Sequence, residues 1–342
     1  MNPFALVNAR TIAEATRTSA TVAGLMAGSG GSPASDVSIV KAGGIDLLDL
    51  MKETLLSPDR ILNLREIPGL DQIAVKVDGL RIGAMATLAA LAGHPFVRDH
   101  FKILAHAAAA SASPQIRNVA TAGGNLLQRP RCWYFRAKEF HCLKKGGDHC
   151  FADNGENRYH AVFDNDLCAI VHPSTIATVL MALGASVELV DARGMTRKVG
   201  LAEFFVSPSV DLTRENNIGN GEILTAVEVP SIRAESRCAW LKQGERDSAD
   251  WPLADVAVVL DFDAEDKCAR ATIVLGAAAP APRRARSAEA LLVGRKIDGA
   301  VAMEAGRAAL DGATPLARNS FKLPLVETLV RRAISQAAAT PG

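Results

Sequence analysis

Charge of one sign is missing: 38 Lys and Arg stand against 37 Asp and Glu in 342 residues. No field draws phosphate polymers or anionic lipid, and the only arginine cluster, Arg283-Arg284-Arg286, is short, so a nucleic-acid partner is not expected. Long apolar runs are missing too. The longest, Ile176 to Ala185, is far below the roughly 18 to 20 residues that a bilayer helix needs, so no membrane insertion is expected. Met1-Asn2-Pro3-Phe4 does not begin a charged n-region with an apolar core behind it, which predicts a soluble chain without an export signal of its own. There is no GxSxG elbow, HExxH helix or Walker loop, which leaves hydrolase and phosphoryl-transfer chemistry without residues. The three-glycine Rossmann spacing is absent, so a nicotinamide site of that type is not supported. Close CxxC pairs are absent as well, and zinc ribbons and fingers rely on them.

What is present begins with apolar content. At 49% hydrophobic residues, the chain can fill two domain cores, and at least two are expected. A Thr11-capped, alanine-rich helix is read over 11–27, broken by Gly28-Ser29-Gly30-Gly31-Ser32-Pro33. A strand over 38–41, the turn Ala42-Gly43-Gly44 and a helix over 47–52 follow. Strands are read over 60–64 and 73–77, a hairpin return over 79–83 after Asp78-Gly79, and helices over 88–92 and 101–112. Residues 131–166 are polar and irregular. After them come a buried strand over 169–171, a Ser174-capped helix over 175–183, and strands over 185–190 and 223–230. The domain boundary is placed near Pro230. Beyond it, strands over 256–260 and 271–276, a sheet end at Pro280 and Pro282, and helices over 287–292, 300–310 and 322–337 make an α+β unit, with a frayed tail over 338–342.

Gly43-Gly44 between a strand and a helix lets main-chain N–H groups point at an oxyanion near a helix N-terminus. Gly123-Gly124, flanked by Thr121 and Asn125, is a second such turn about 80 residues on. The two turns could close on a single pyrophosphate, or each could simply be a turn. Cys132, Cys142, Cys150 and Cys168 fall within 37 residues, separated by nine, seven and seventeen others. Disulfides would not persist in a reducing cytosol, so these thiols are candidate metal ligands; the spacing leaves open an iron-sulfur cluster, zinc or unligated thiols. Trp133, Tyr134 and Phe135 would keep water from a cluster or merely anchor a loop. His141, His149, His160 and His172 read as surface or hydrogen-bonded histidines before ligands, and Cys238 and Cys268, the latter in a turn, as packing residues.

Four stretches carry a resemblance: 42–52 (Ala42-Gly43-Gly44-Ile45-Asp46-Leu47 onward), 115–126 (Gln115-Ile116-Arg117-Asn118 through Thr121-Ala122-Gly123-Gly124-Asn125-Leu126), His172-Pro173-Ser174, and Gly221-Glu222-Ile223-Leu224-Thr225. Together they resemble the FAD-binding medium subunit of molybdenum hydroxylases, the xanthine dehydrogenase and carbon monoxide dehydrogenase group. The cysteine segment looks most like the insertion of periplasmic aldehyde oxidoreductase, which, like that of 4-hydroxybenzoyl-CoA reductase, holds a 4Fe-4S cluster.

The resemblance implies an α+β fold: a two-subdomain, PCMH/VAO-like FAD domain over 1–230 with an iron-sulfur loop over 131–168, then a smaller α+β domain over 231–342. It implies that Ala42, Gly43, Gly44, Ile45, Asp46, Leu47, Thr121, Gly123, Gly124 and Asn125 meet FAD, with Ser174 and Lys242 near the flavin. Thr175 departs from the family, which often has Asp there, and Ile45 stands where many have Thr or His. By the same likeness Cys132, Cys142, Cys150 and Cys168 are cluster ligands, and no side chain is a catalytic acid or base. The implied partners are a large molybdenum-cofactor subunit, a small 2Fe-2S subunit and an external electron acceptor. A complex like 4-hydroxybenzoyl-CoA reductase with reversed electron flow, and a non-redox scaffold with structural zinc, are the alternatives. A cytoplasmic location is the default, and co-export with a partner bearing a twin-arginine signal would make it periplasmic.

Overall fold

In the computed structural model, which describes residues 2–20 and 38–340, the chain builds three sheets in succession. The first is parallel, with β1 (Ala5–Asn8), β2 (Ser19–Ala20), β3 (Ser38–Lys41) and β4 (Arg60–Asn63) in the order β1-β4-β3-β2. Thr11 caps the first helix as expected, accepting from the Glu14 amide, but that helix covers only Ile12–Thr18. The chain extends into β2 instead of continuing helical; the rest of the expected helix and the break at 28–33 lie outside the described residues. A parallel neighbour needs a crossover, and the helix Ile45–Lys52 supplies it between β3 and β4. Its Leu47, Leu50 and Met51, on one face, pack with Ile39, Ile61 and two residues of the cysteine segment, Phe135 and Cys142.

The second sheet is antiparallel, with β5 (Ile73–Lys76), β6 (Gly79–Gly83), β7 (Ser186–Val190), β8 (Thr196–Gly200) and β9 (Ile223–Pro230) in the order β5-β6-β9-β7-β8. Gly79 opens the β6 return at φ 150°, where a side chain would meet the Val229 carbonyl. Between β6 and β7 lie the helices Leu88–Gly93, Pro95–His100 and Lys102–Ala109, the second turn, the cysteine segment, and the helix Thr175–Ala182. The cysteine segment is irregular as expected, apart from the short helix Trp133–Arg136 and a 3-10 turn, Leu143–Lys145. The strand expected over 169–171 does not form. Ala169 and Ile170 are buried, but the chain here is held by isolated bonds, Ala161 N–H to the Ala169 carbonyl and His172 N–H to the Ala279 carbonyl.

The third sheet, also antiparallel, runs β10 (Arg237–Gln243), β11 (Ala254–Phe262), β12 (Cys268–Gly276) and β13 (Arg283–Arg284). Pro280 and Pro282 interrupt this sheet without ending it, since β13 pairs with β12 beyond them. Cys268, expected in a turn, is the buried first residue of β12. Both faces are covered. Trp240, Ala257, Val259 and Val274 join the core of the second sheet with Ile176, Val179 and Leu180, while Val256, Val258, Ile273 and Leu275 face the C-terminal helices. This explains the unbroken apolar run of β11, because a strand with two buried faces has no polar alternation. The last helix, Lys322–Ala339, buries Val326, Leu329, Val330, Ala333 and Ile334 against that face and reaches past the expected start of a frayed tail.

The same helical end grips the cysteine segment. Asn319 Nδ2 donates to the carbonyls of His160 and Ala161, Asn165 Nδ2 donates to the Thr314 carbonyl, and the buried Lys322 Nζ donates to the carbonyls of His160 and Ala277. Burial pushes the Lys322 amine from 10.5 down to about 7. Lys322→Met leaves two buried carbonyls without a donor and is expected to cost about 1–3 kcal/mol, seen as a lower melting temperature. Its pH dependence has a definite sign. Between about 7 and 10.5 the unfolded chain holds the proton more tightly than the native one, so this group's contribution to stability rises with pH. The melting temperature of wild type minus that of Lys322→Met is therefore expected to increase from pH 7 to pH 10, and a flat difference would contradict a buried amine.

Candidate functional site

Where β3 ends, Ala42-Gly43-Gly44 turns the chain into the helix Ile45–Lys52, with Gly44 as N-cap at φ 85°. The N–H groups of Gly43, Gly44, Ile45 and Asp46, left over as at any helix start, have no protein acceptor among the described residues. The second turn is built differently. Thr121 caps the helix Ala122–Leu126, its hydroxyl accepting from the Gly124 amide, while the Ala122 and Gly123 amides donate to the carbonyls of Ala86 and Ala84. These bonds use the amides that the sequence suggested for an anion, so the first turn alone offers free main-chain donors. The second presents side chains and small surfaces. The two turns abut: a Cβ on Gly43 would lie 2.3 Å from the Val119 carbonyl oxygen, and one on Gly124 would lie 3.6 Å from the Ala42 methyl.

Between them opens a cavity of about 690 Å³, lined by Ala42, Gly43, Gly44, Ile45, Asp46, Leu47, Thr121, Gly123, Gly124, Asn125 and Lys242. Ser174 stands behind this wall. It caps the helix Thr175–Ala182 and its hydroxyl donates to Asn125 Oδ1, orienting the amide, while Thr175 is the neighbour that lines the space. Lys242 Nζ donates to the Ala110 carbonyl, and burial lowers its pKa. Residues without a motif complete the wall. Arg129 and Glu215 are buried in it, and Trp251 lies at the mouth with the Arg131 guanidinium 5.1 Å over its ring. None could be found from spacing, because 128–131 and 211–216 belong to no helix or strand and meet only through tertiary packing.

Cys132, Cys142, Cys150 and Cys168 converge from four parts of their segment on one small enclosed space, shared with Tyr134, Phe135, Lys144, Phe151 and His160. No cysteine is bridged to another. Burial pushes Cys132 and Cys168 up to about 12, with Lys144 drawing Cys168 the other way. Among the described residues, no three or more His, Cys, Asp or Glu side chains are close enough together to hold a metal ion. Tetrahedral zinc would need sulfurs about 3.8 Å apart, from Zn–S bonds of about 2.3 Å. Phe135 and Tyr134 wall the space, whereas Trp133 projects outward at 36% exposure. His160 Nε2 lies 3.2 Å from the Cys132 sulfur, and burial, with Lys322 nearby, pushes its pKa down to about 4. His172 is buried, held edge-on to Phe205 and likewise lowered to about 4 by burial; His149 pairs with Asp148. Cys238 and Cys268 sit in strands of the third sheet, away from this group.

One carboxylate joins the two spaces. Asp46, in the first turn of the glycine-turn helix, accepts from the Arg129 amide at 2.8 Å and from the guanidinium groups of Arg131 at 2.8 Å and Arg136 at 2.7 Å. Asp49, a turn later, takes the other arm of Arg136.

Comparison with known proteins agrees with this geometry. Residues 2–232 match the FAD binding domain in molybdopterin dehydrogenase, and residues 239–337 match the CO dehydrogenase flavoprotein C-terminal domain. The chain is 36% identical to the aldehyde oxidoreductase FAD-binding subunit PaoB of Escherichia coli K12 over 87% of its own length and 91% of the relative's. It is 30% identical to the nicotine 6-hydroxylase medium subunit of Paenarthrobacter nicotinovorans over 88% and 90%. Carbon monoxide dehydrogenase from Hydrogenophaga pseudoflava superposes with TM-score 0.74 at 23% identity, covering 100% of this chain and 99% of that one; reconstituted CO dehydrogenase from Oligotropha carboxidovorans gives 0.72 at 25%, covering 99% of each. Fold and site thus define a flavin-binding oxidoreductase subunit. The chain belongs to the FAD-binding medium subunits of the molybdenum hydroxylase family.

The residues present suit FAD. Free amides face the cavity beside a helix N-terminus, and Nη1 and Nη2 of Arg129, buried in its wall, have no hydrogen-bond acceptor among the described residues, while its Nε lies 3.2 Å from Glu215 Oε2. Gly43→Ala would drive a methyl into the main chain of the opposite turn, which cannot step aside. A loss of at least about 1.4 kcal/mol, roughly tenfold in FAD affinity, is expected in a fluorescence titration of the deflavinated complex. Gly93→Ala, set in open space, should leave the affinity unchanged.

Proposed function

We propose that this chain is the electron-transfer subunit of a molybdenum hydroxylase that oxidises an aldehyde or N-heterocycle, and that it carries FAD and a 4Fe-4S cluster. It would work beside a large subunit with the molybdenum cofactor and a small subunit with 2Fe-2S clusters. Bound here, the two groups supply the electron chemistry, taking electrons from the partners' clusters and passing them to an external acceptor.

The chain's own residues bind, orient and exclude water. The proposed FAD contacts are Ala42, Gly43, Gly44, Ile45, Asp46, Leu47, Thr121, Gly123, Gly124, Asn125 and Lys242, with Ser174 acting through Asn125. Free amides at the first turn suit the pyrophosphate, and the unpartnered Nη1 and Nη2 of Arg129 suit an electron-rich group in the cavity. The proposed cluster ligands are Cys132, Cys142, Cys150 and Cys168, on a loop over 131–168 within an FAD domain of residues 1–230, with a C-terminal domain over 231–342. The observation that carries the cluster is the meeting of four unbridged thiols in one space walled by Phe135 and Tyr134.

The test is composition and spectrum. The purified complex is expected to contain about four iron atoms per copy of this chain beyond those of its partners. Cys150→Ser should remove that iron and its reduced-state EPR signal while flavin absorbance stays. Zinc in place of iron, with no flavin, would establish the scaffold reading instead. Iron and flavin with turnover only toward substrate reduction would establish a complex like 4-hydroxybenzoyl-CoA reductase.

A further inference from the structure

The glycine-turn cavity and the cysteine space share a wall made of charge. Arg129 lines the first, and its guanidinium, 4% exposed, lies 5.0 Å from the centroid of Phe135, which lines the second. Beside it Glu215 lines the cavity, with Oε2 3.2 Å from Arg129 Nε and Oε1 2.6 Å from Nζ of Lys144. Lys144 is fully buried, lines the cysteine space and also donates to the Leu212 carbonyl. Two cations thus share one carboxylate, and one positive charge stays behind with little water around it. The carboxylates of Asp46 and Asp49 do not cancel it, being already engaged by Arg131 and Arg136. An uncompensated charge in such a place is costly to keep unless something beside it is negative.

We propose that the Arg129–Glu215–Lys144 triad sets reduction potential: its net positive charge favours the more negative, reduced form of the redox group on either side of the wall. The inference rests on the cofactor reading above. Low effective dielectric lets one buried charge act on both spaces, and salt screens it little. The triad therefore holds electrons in this subunit until an acceptor takes them. Lys144 touches the cysteine space, and Arg129 and Glu215 touch the other cavity, so a change at either end is felt at both.

The experiment is a redox titration of the purified complex, with flavin followed by absorbance and the cluster by EPR, after flavin and iron have been quantified in each sample. Lys144→Met makes the triad neutral, and both midpoints are expected to move negative. Lys144→Met combined with Glu215→Gln leaves Arg129 as the single charge, and both midpoints are expected to return toward wild type. A purely structural role gives a different pattern, since both variants break the same ion pair and would displace the midpoints alike. Wild-type midpoints in fully loaded Lys144→Met, or a double variant displaced as far as the single one, would overturn the proposal. Should Lys144→Met not accumulate, Glu215→Gln alone carries the test; a positive shift supports the triad, and an unchanged or negative one overturns it. A wild-type complex lacking the additional iron or the flavin would overturn the cofactor reading itself, which is a separate and recognisable result.

Discussion

The arrangement depends on the carboxylate of Asp46. It sits where the helix dipole favours negative charge, one residue into the helix that follows the glycine turn, and it takes one main-chain and two guanidinium donors from the start of the cysteine segment. Such a hub fixes two things at once. It sets the angle at which the glycine turn meets the rest of the cavity, and it anchors the end of a long irregular loop that has almost no secondary structure of its own. Charge-assisted bonds of this kind are short and directional, and their partial burial makes them stronger than surface pairs.

The third sheet performs the corresponding task from the other side. Because both its faces are buried, it joins the core of the second sheet to that of the C-terminal helices, and it holds Lys242 at the cavity. The walls of the cavity, drawn mainly from 40–50, 111–131, 214–224 and 242–252, are brought together by packing across all three sheets.

Much of this was legible in the residues. The glycine turn with its strand and helix, the Thr11 and Ser174 caps and the strands β3 to β7, β9, β11 and β12 follow from local propensity and turn chemistry, which act over a few residues, whereas β1, β2, β8, β10 and β13 do not. The four cysteines were legible as a group through composition. What could not be read depends on tertiary placement. Ala169-Ile170-Val171 has a strand's composition, yet only isolated main-chain bonds, such as Ala161 N–H to the Ala169 carbonyl, hold it, and no ladder forms. The second glycine turn has the look of an anion cradle, but Ala84 and Ala86 take its amides. Ser174 reads as a flavin neighbour, and its hydroxyl caps a helix and bonds Asn125 behind the cavity wall, a placement set by tertiary packing. Arg129, Glu215 and Lys144 carry no periodicity, and their meeting is decided by contacts 68 or more residues apart along the chain, such as that of Lys144 with Leu212.

The grip of the C-terminal helices on residues 157–165 has a consequence for biogenesis. Asn319 and Lys322 hold the carbonyls of His160 and Ala161, only a few residues before Cys168. A nascent chain on the ribosome has released all four thiols long before these two side chains emerge. The bonds that fix these two carbonyls therefore form only after all four cysteines have been synthesised.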